Sequence, residues 1–118
     1  MPILRSQQTM TEEINIFKCL DYIRDQAKLY AQAKANRCYL ENYRKTVKAL
    51  EMRKHLDKPI GAQEREAYAS EAMQEVDKGI QAATEQEEQL RWLLIAAQAK
   101  CETWRTLQAN SRYEAKVI

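Results

Sequence analysis

The stretch "DKPIGAQ", from Asp57 to Gln63, interrupts a chain that otherwise has the pattern of a helix. Lys58 precedes Pro59, which biases its backbone away from the helical region, and Gly61 supplies an easy turn position. Basic side chains just before the proline suit the C-terminal end of a helix. The sequence therefore predicts that one long helix ends here and that the chain turns between residues 57 and 63.

The composition predicts few turns elsewhere. Of the 118 residues only two are glycine and two are proline, whereas 45% are hydrophobic and 31% are charged. Such a chain is rich in helix formers, and it shows no strand-like alternation of apolar and polar residues. One domain is the expectation at this length. We therefore predict an all-α fold made of a few long elements.

The boundaries of these elements follow from capping residues and breaks. Residues 1–9 are expected to be a flexible arm, and Thr11 is a candidate cap for a first helix of about 45 residues, roughly 70 Å long. After the turn, "QEREAYAS" has a helical pattern. A break or bend is expected at Ala69–Ser70, which makes this a short helix between two long ones. The last helix is expected to run from about Glu71 to Arg112.

Apolar residues recur at coiled-coil spacing in both long helices. After the turn, steps of four and three connect positions 76, 80, 83, 87, 90, 94, 97, 101 and 104, with one polar exception at Glu87. Before the turn, similar steps connect 29, 33, 36, 40, 43, 47 and 50, and a stripe on a shifted register connects 16, 20, 23, 27 and 30. We predict that residues 10–118 form one domain, a long antiparallel helical hairpin resembling a coiled coil.

The stretch "LRWLLIAAQAKCETWR", Leu90 to Arg105, has more apolar residues than one seam requires. Between positions 90 and 97 they surround the helix, and such a helix must be covered on all sides. No apolar run reaches the ~20 residues of a membrane helix, so we expect no membrane partner. The expected cover is a second copy, giving a dimeric bundle, or another protein. The predicted interface residues are Ile16, Leu20, Ile23, Trp92, Ile95 and Trp104.

Charge is distributed unevenly along the chain, although the net charge is only +2. Residues 28–58 contain nine basic and three acidic residues, and residues 60–90 contain two basic and eight acidic residues. Two interpretations stay open: the segments pair with each other and fix the register, or the basic helix with its tyrosines binds nucleic acid or an acidic partner. The candidate patch consists of Lys34, Arg37, Arg44, Lys45 and Lys48.

Residues for catalysis or metal binding are sparse. The single histidine, His55, gives no nucleophile–base arrangement, and neither zinc spacing nor a glycine-rich phosphate loop is present. Cys19, Cys38 and Cys101 are odd in number with no close pair, so we interpret them as small hydrophobic residues. The N-terminus lacks a signal-peptide core. We expect a cytosolic, non-enzymatic protein with no cofactor, no metal and no small-molecule substrate.

Three blocks of the sequence resemble a group of small helical proteins of tailed bacteriophages and prophages. The blocks are "AKANRCYLENYRKTVKAL" (33–50), "AQEREAYAS" (62–70) and "EEQLRWLLIAAQAKCETWRTLQANSR" (87–112). Members often carry a proline after "AYA", where this chain has Ser70 and Glu71. Genes of this group commonly lie near phage recombination and single-strand-annealing genes. The resemblance implies a phage origin and a place in early DNA metabolism, and it implies no catalytic residues.

Three functional hypotheses follow. The first is a self-associating accessory protein that binds a protein or DNA partner in phage recombination or replication. The second is an inhibitor of a host defence or repair nuclease, such as an anti-CRISPR protein. The third is a structural or assembly factor. Each implies a location in the cytoplasm of the infected bacterial host.

Overall fold

The described chain is helical. The computed structural model describes residues 13–117, which form α1 (Ile16–Met52), a short 3₁₀ turn (Arg53–His55), α2 (Ile60–Ala69) and α3 (Glu71–Val117). No strand occurs between residues 13 and 117. The all-α prediction is confirmed, as is the short helix between two long ones. The predicted arm at residues 1–9 and the predicted cap at Thr11 lie outside the described residues.

A polar side chain caps the start of α1, and a proline precedes the start of α2. The side-chain oxygen of Asn15 accepts a hydrogen bond from the backbone N–H of Lys18 at 3.1 Å, so Asn15 caps α1. Pro59 precedes the first residue of α2, and its carbonyl accepts the N–H of Gln63 at 3.0 Å. Gly61, expected in the turn, lies in the first turn of α2 with no positive φ. The non-helical stretch ends at Pro59 because a proline before the first turn suits a helix start.

Ser70 separates α2 from α3. Its backbone is extended, with φ −67° and ψ 149°, so the helical path stops at this single residue. The Ser70 hydroxyl donates to the carbonyl of Ala67 at 2.6 Å and accepts the N–H of Met73 at 3.2 Å. The same side chain therefore closes α2 and caps α3. The break predicted at Ala69–Ser70 is present, and α3 then continues to Val117, five residues beyond the predicted Arg112.

The chain forms two compact units, which we name by their place in the sequence. The terminal unit combines α1 up to Ala27 with α3 from Leu93, and the central unit is Lys28–Trp92. In the terminal unit, the thiol of Cys19 on α1 reaches the carbonyl of Ala97 on α3 at 3.2 Å. This contact joins the two long helices within that unit.

In the central unit, contacts between α1 and α3 run in opposite order along the two helices. Arg37 pairs with Glu87, and seven residues later Arg44 pairs with Asp77 at 2.6 Å. Between them, a methyl carbon of Leu40 would lie 3.8 Å from a Cβ added to Gly79. Within this unit the helices are therefore antiparallel and close together.

The predicted seam of α3 is confirmed, whereas that of α1 is correct at six of its twelve positions and wrong at the other six. All nine α3 positions from 76 to 104 are buried or half-buried. On α1 the predicted positions 29, 36, 43 and 50, together with 20 and 27, are exposed. The seam instead uses 16, 19, 23, 26, 30, 33, 37, 40, 44 and 47. The reason is that Arg37 and Arg44 occupy seam positions opposite acidic residues of α3, so counting apolar residues alone selects the wrong face.

Most fully buried residues are small. The buried hydrophobic residues are Cys19, Ala33, Val47, Ala67, Met73, Ala83 and Ala97, and only Met73 among them has a large side chain. Small side chains bury little apolar area per residue. Much of the apolar surface of this chain consequently remains exposed.

Candidate interaction surfaces

An open groove lies in the terminal unit. The apolar lining consists of Ile14, which precedes α1, of Cys19 and Tyr22 from α1, and of Leu93 and Ala96 from α3. The rest of the lining is mostly polar and consists of Glu13, Asn15, Lys18, Ala97 and Lys100. Small alanines on α3 leave the space that forms the groove. An apolar floor with cationic groups among its lining suits an amphipathic helix better than a polar metabolite.

Large apolar side chains of the terminal unit are also exposed. Phe17 is 77% exposed, Leu20 50% and Leu93 48%. Scattered apolar residues are normal on a surface, and the central unit exposes a similar number of large apolar side chains. Leu93 lines the groove, whereas Phe17 and Leu20 do not. Helical spacing puts Phe17 and Leu20 on the other side of the buried stripe of α1 from the groove residues. We therefore treat the groove and the exposed Phe17 and Leu20 as two candidate surfaces of the terminal unit.

The six predicted interface residues differ in exposure. Leu20 in the terminal unit and Trp92 in the central unit are exposed, the latter by 59%, with the Arg91 guanidinium 5.3 Å from its ring centre. Four others are half-buried in the terminal unit: Ile16, Ile23, Ile95 and Trp104. None of the six lines the groove. Sequence reasoning missed the groove because its lining includes small and polar residues, which give no apolar stripe.

The predicted basic patch divides into paired and free cations. Arg44 bonds to Asp77, and the ammonium group of Lys48 lies 3.7 Å from a carboxylate oxygen of Glu64. Lys34 and Lys45 are exposed and make no ion pair within residues 13–117. The pairing with Asp77 also raises the pKa of Arg44. Part of the basic charge of α1 therefore serves to join the helices.

Arg37, the remaining patch residue, forms a buried ion pair. Its guanidinium bonds both carboxylate oxygens of Glu87, one of them at 3.2 Å, and also bonds Glu41 at 2.9 Å. Glu87 is only 6% exposed. The hydrogen bond from Arg37 lowers the pKa of Glu87, against the effect of burial, and the same bond raises the pKa of Arg37. The polar exception in the α3 seam is thus matched by a cation.

Two exposed tyrosines and several unpaired cations remain in the central unit. The rings of Tyr39 and Tyr43 are stacked, with centres 6.0 Å apart and planes 9° apart. Four exposed cations between positions 28 and 53 make no ion pair within the described chain: Lys28, Lys34, Lys45 and Arg53. At about 100° per residue, Lys34 and Lys45 lie roughly 120–180° around α1 from the two tyrosines. The lysines and the tyrosines are therefore separate surfaces, of which the lysines suit phosphate groups.

Two of the three cysteines, which were interpreted from sequence as small hydrophobic residues, lie together in the terminal unit. The sulfur atoms of Cys19 and Cys101 lie 3.3 Å apart although 82 residues separate them in sequence. Cys38 is exposed on α1 of the central unit. The predicted seam of α3 includes position 101, so the sequence indicates that Cys101 faces α1. The predicted stripe of α1 runs through 16, 20 and 23 and omits position 19, so the sequence does not indicate that Cys19 faces α3. The correct register brings the two thiols together.

Two further features are absent from residues 13–117. Among residues 13–117 no group of three or more His, Cys, Asp or Glu side chains is placed to hold a metal ion. In the same part of the chain, no helix combines the length and apolar character needed to cross a membrane. No protein-family model, curated protein or solved structure matches this sequence.

Proposed function

We propose that this chain is a non-enzymatic interaction protein that self-associates through the apolar surface of its terminal unit. The observation that carries the proposal is the exposure of Phe17 and Leu20 on α1, with the groove as a second apolar surface of the same unit. Burying such surface against a second copy gains about 25 cal/mol per Å². The resemblance to phage proteins supports phage recombination or replication as the process that we propose this association serves.

The proposed assembly is a bundle of two chains. In each chain α1 and α3 would continue as one antiparallel hairpin within a single domain of residues 10–118. A hairpin buries one stripe of each helix and leaves the outward apolar residues uncovered, and two-fold pairing covers them symmetrically. The near-neutral net charge of +2 does not oppose association. A second copy is favoured over an unrelated protein because every chain carries the same exposed surface.

Light scattering coupled to size-exclusion chromatography tests the assembly. We expect a mass twice the 13.8 kDa of one chain. Leu20→Lys places a charge on the proposed surface and should shift the mass toward one chain. Gln98→Lys adds the same charge at another exposed position of the terminal unit and should leave the mass unchanged. A wild-type chain that elutes with the mass of a monomer at all concentrations contradicts self-association.

The unpaired cations of the central unit support a second interaction, with single-stranded nucleic acid. These cations suit phosphates, whereas the Tyr39–Tyr43 pair lies on a different face of α1 from Lys34 and Lys45 and is left out of this contact. Arg37 and Arg44 are excluded from this role because acidic side chains of the same chain occupy them. The partner is therefore expected to contact Lys34 and Lys45 rather than the whole predicted patch.

Salt dependence of binding to a fluorescent single-stranded oligonucleotide tests this interaction. Each phosphate contact contributes about 0.7 to the slope of log affinity against log salt. Lys34→Gln with Lys45→Gln should therefore reduce the slope by about 1.4. The matched control, Arg112→Gln with Lys116→Gln, removes the same charge from exposed positions of the terminal unit that do not line the groove, and it should keep the slope. Absence of binding even at low salt, with the protein folded, contradicts nucleic-acid contact.

Co-purification from phage-infected cells tests the cellular role. A phage annealing or replication protein that associates with the chain and not with its Leu20→Lys variant supports the proposal. A host nuclease in its place would support the inhibitor hypothesis and contradict an accessory role in recombination.

A further inference from the structure

Cys19 and Cys101 join α1 to α3 within the terminal unit, in a position suited to thiol chemistry. Cys19 is 9% exposed and Cys101 is half-buried. Their sulfur atoms lie 3.3 Å apart, about 1.3 Å more than the ~2.05 Å of a disulfide bond. Small side-chain rotations change a sulfur position by this amount. Bond formation therefore requires no separation or sliding of the helices.

The hydrogen bonds order this pair of thiols. The single S–H of Cys19 donates to the carbonyl of Ala97 at 3.2 Å. Cys101 must then be the donor in the contact between the two sulfur atoms. The hydrogen bond with Cys19, followed by burial, raises the pKa of Cys101. The reduced pair is thus stable at neutral pH and reacts faster as the pH rises.

We propose that Cys19 and Cys101 are a modification site at which a reversible intramolecular disulfide forms. The oxidant is a low-molecular-weight disulfide of the glutathione class. The oxidant reaches the pair at Cys101, which is half-buried, and the neighbouring Cys19 lines the groove, with the two sulfur atoms 3.3 Å apart. The third cysteine, Cys38, is exposed in the central unit and takes no part.

The reaction balances in two exchange steps. The thiolate of Cys101, the more exposed of the two, attacks one sulfur of the oxidant, forms a mixed disulfide and releases one thiolate. The thiolate of Cys19 then attacks the sulfur of Cys101, forms the intramolecular bond and releases the second thiolate. Two protein thiols lose two electrons and two protons, and the oxidant becomes two free thiols.

The bond fixes the start of α1 to α3 and closes a loop of 82 residue steps. Cross-linking so long a loop restricts the unfolded chain strongly, so the oxidised protein should unfold roughly 5–15 °C above the reduced protein. Oxidation also fixes one wall of the groove to the other. The disulfide thereby limits the opening of the surface that the chain offers for self-association.

Thiol counting and mass mapping test the proposal. The full chain is incubated with oxidised glutathione, denatured, and titrated for free thiols. Wild-type protein should remain a single chain on a non-reducing gel and yield a peptide linking Cys19 to Cys101, while the exposed Cys38 forms a glutathione adduct. Cys38→Ser should lose both of its remaining thiols and carry no glutathione, and dithiothreitol should restore both thiols. Cys101→Ser should form no intramolecular link.

The mapping on wild-type protein keeps the test valid even if a variant folds poorly. Three results would overturn the proposal: retention of all three thiols at alkaline pH, cross-linking of chains through Cys38, or stable glutathione adducts without the internal bond. An oxidised protein with an unchanged unfolding temperature would contradict the proposed clamp.

Discussion

Replacing Ser70 by alanine should destabilise the junction between α2 and α3, although alanine has a higher helix propensity than serine. The hydroxyl group makes two bonds there, donating to the Ala67 carbonyl at 2.6 Å and accepting the Met73 N–H at 3.2 Å. Alanine keeps the extended backbone accessible but makes neither bond. It also has the highest helix propensity, so it favours a continuous helix through a point where the native chain bends.

The magnitude follows from the two bonds. Loss of a serine cap costs about 0.5–2 kcal/mol. The Ala67 carbonyl keeps its bond from the Ser70 N–H at 3.2 Å, so the second loss is that of one bond and leaves no unpaired group. That loss adds about 0.5 kcal/mol, at the low end for a net hydrogen bond. The sum is about 1–2.5 kcal/mol, which lowers the Tm by roughly 4–10 °C for a chain of this length.

Thermal unfolding followed by circular dichroism, at one protein concentration, measures this effect. Ser70→Thr retains both bonds and should stay within about 0.5 kcal/mol of wild type. Ser111→Ala is the matched control, because Ser111 is exposed within α3 and alanine suits a helix there. The reasoning is refuted if Ser70→Ala and Ser111→Ala unfold at the same temperature.

Two further substitutions test the packing of α1 against α3 in the central unit. Because the pKa of Glu87 is lowered in the folded protein, its contribution to stability is present above the ordinary value of 4.5 and is lost as the pH falls through the folded pKa. Urea titrations should therefore show that Glu87→Gln is less stable than wild type at pH 7 and that this difference disappears in acid. A difference in stability that does not depend on pH would contradict the ion pair. Gly79→Ala should raise the free energy of unfolding in urea by about 0.4–1 kcal/mol, because the new Cβ would lie 3.8 Å from Leu40, which is an ordinary contact distance. A loss of stability would show that the helices cannot accept a methyl group there.

The sequence predicts the seam of α3 well because its apolar positions are continuous. Val76, Ile80 and Leu90 share a face with only one polar exception, and burial follows that face. In α1 the same reasoning selects several positions that are exposed. Arg37 and Arg44 lie in the seam because acidic residues on α3 pair with them, and Tyr43 and Leu50 are exposed in their place. A pattern within one helix cannot show which charges its neighbour supplies.

The thiol pair illustrates a signal that spacing within one helix also misses. Cys19 and Cys101 show no local relation, yet Ile60 lies midway along the 82 residues between them. A chain that reverses direction near Pro59 brings such residues to the same level. The turn was predicted from sequence, so the pairing was accessible by counting outward from it. The distance of 3.3 Å between the two sulfur atoms could not be predicted, because it depends on the register of the two helices.

The division of basic charge on α1 connects the two proposed interactions. Only four exposed cations between positions 28 and 53 make no ion pair within the described chain. When one chain binds single-stranded nucleic acid, the slope of log affinity against log salt is therefore at most about 2.8. That is too few contacts for firm binding at physiological salt. Two associated chains present eight cations, and the second set binds at the high effective concentration that linkage provides. Leu20→Lys, which adds a positive charge, should then weaken nucleic-acid binding by dispersing the assembly. Stronger binding by this variant would show instead that each chain binds alone.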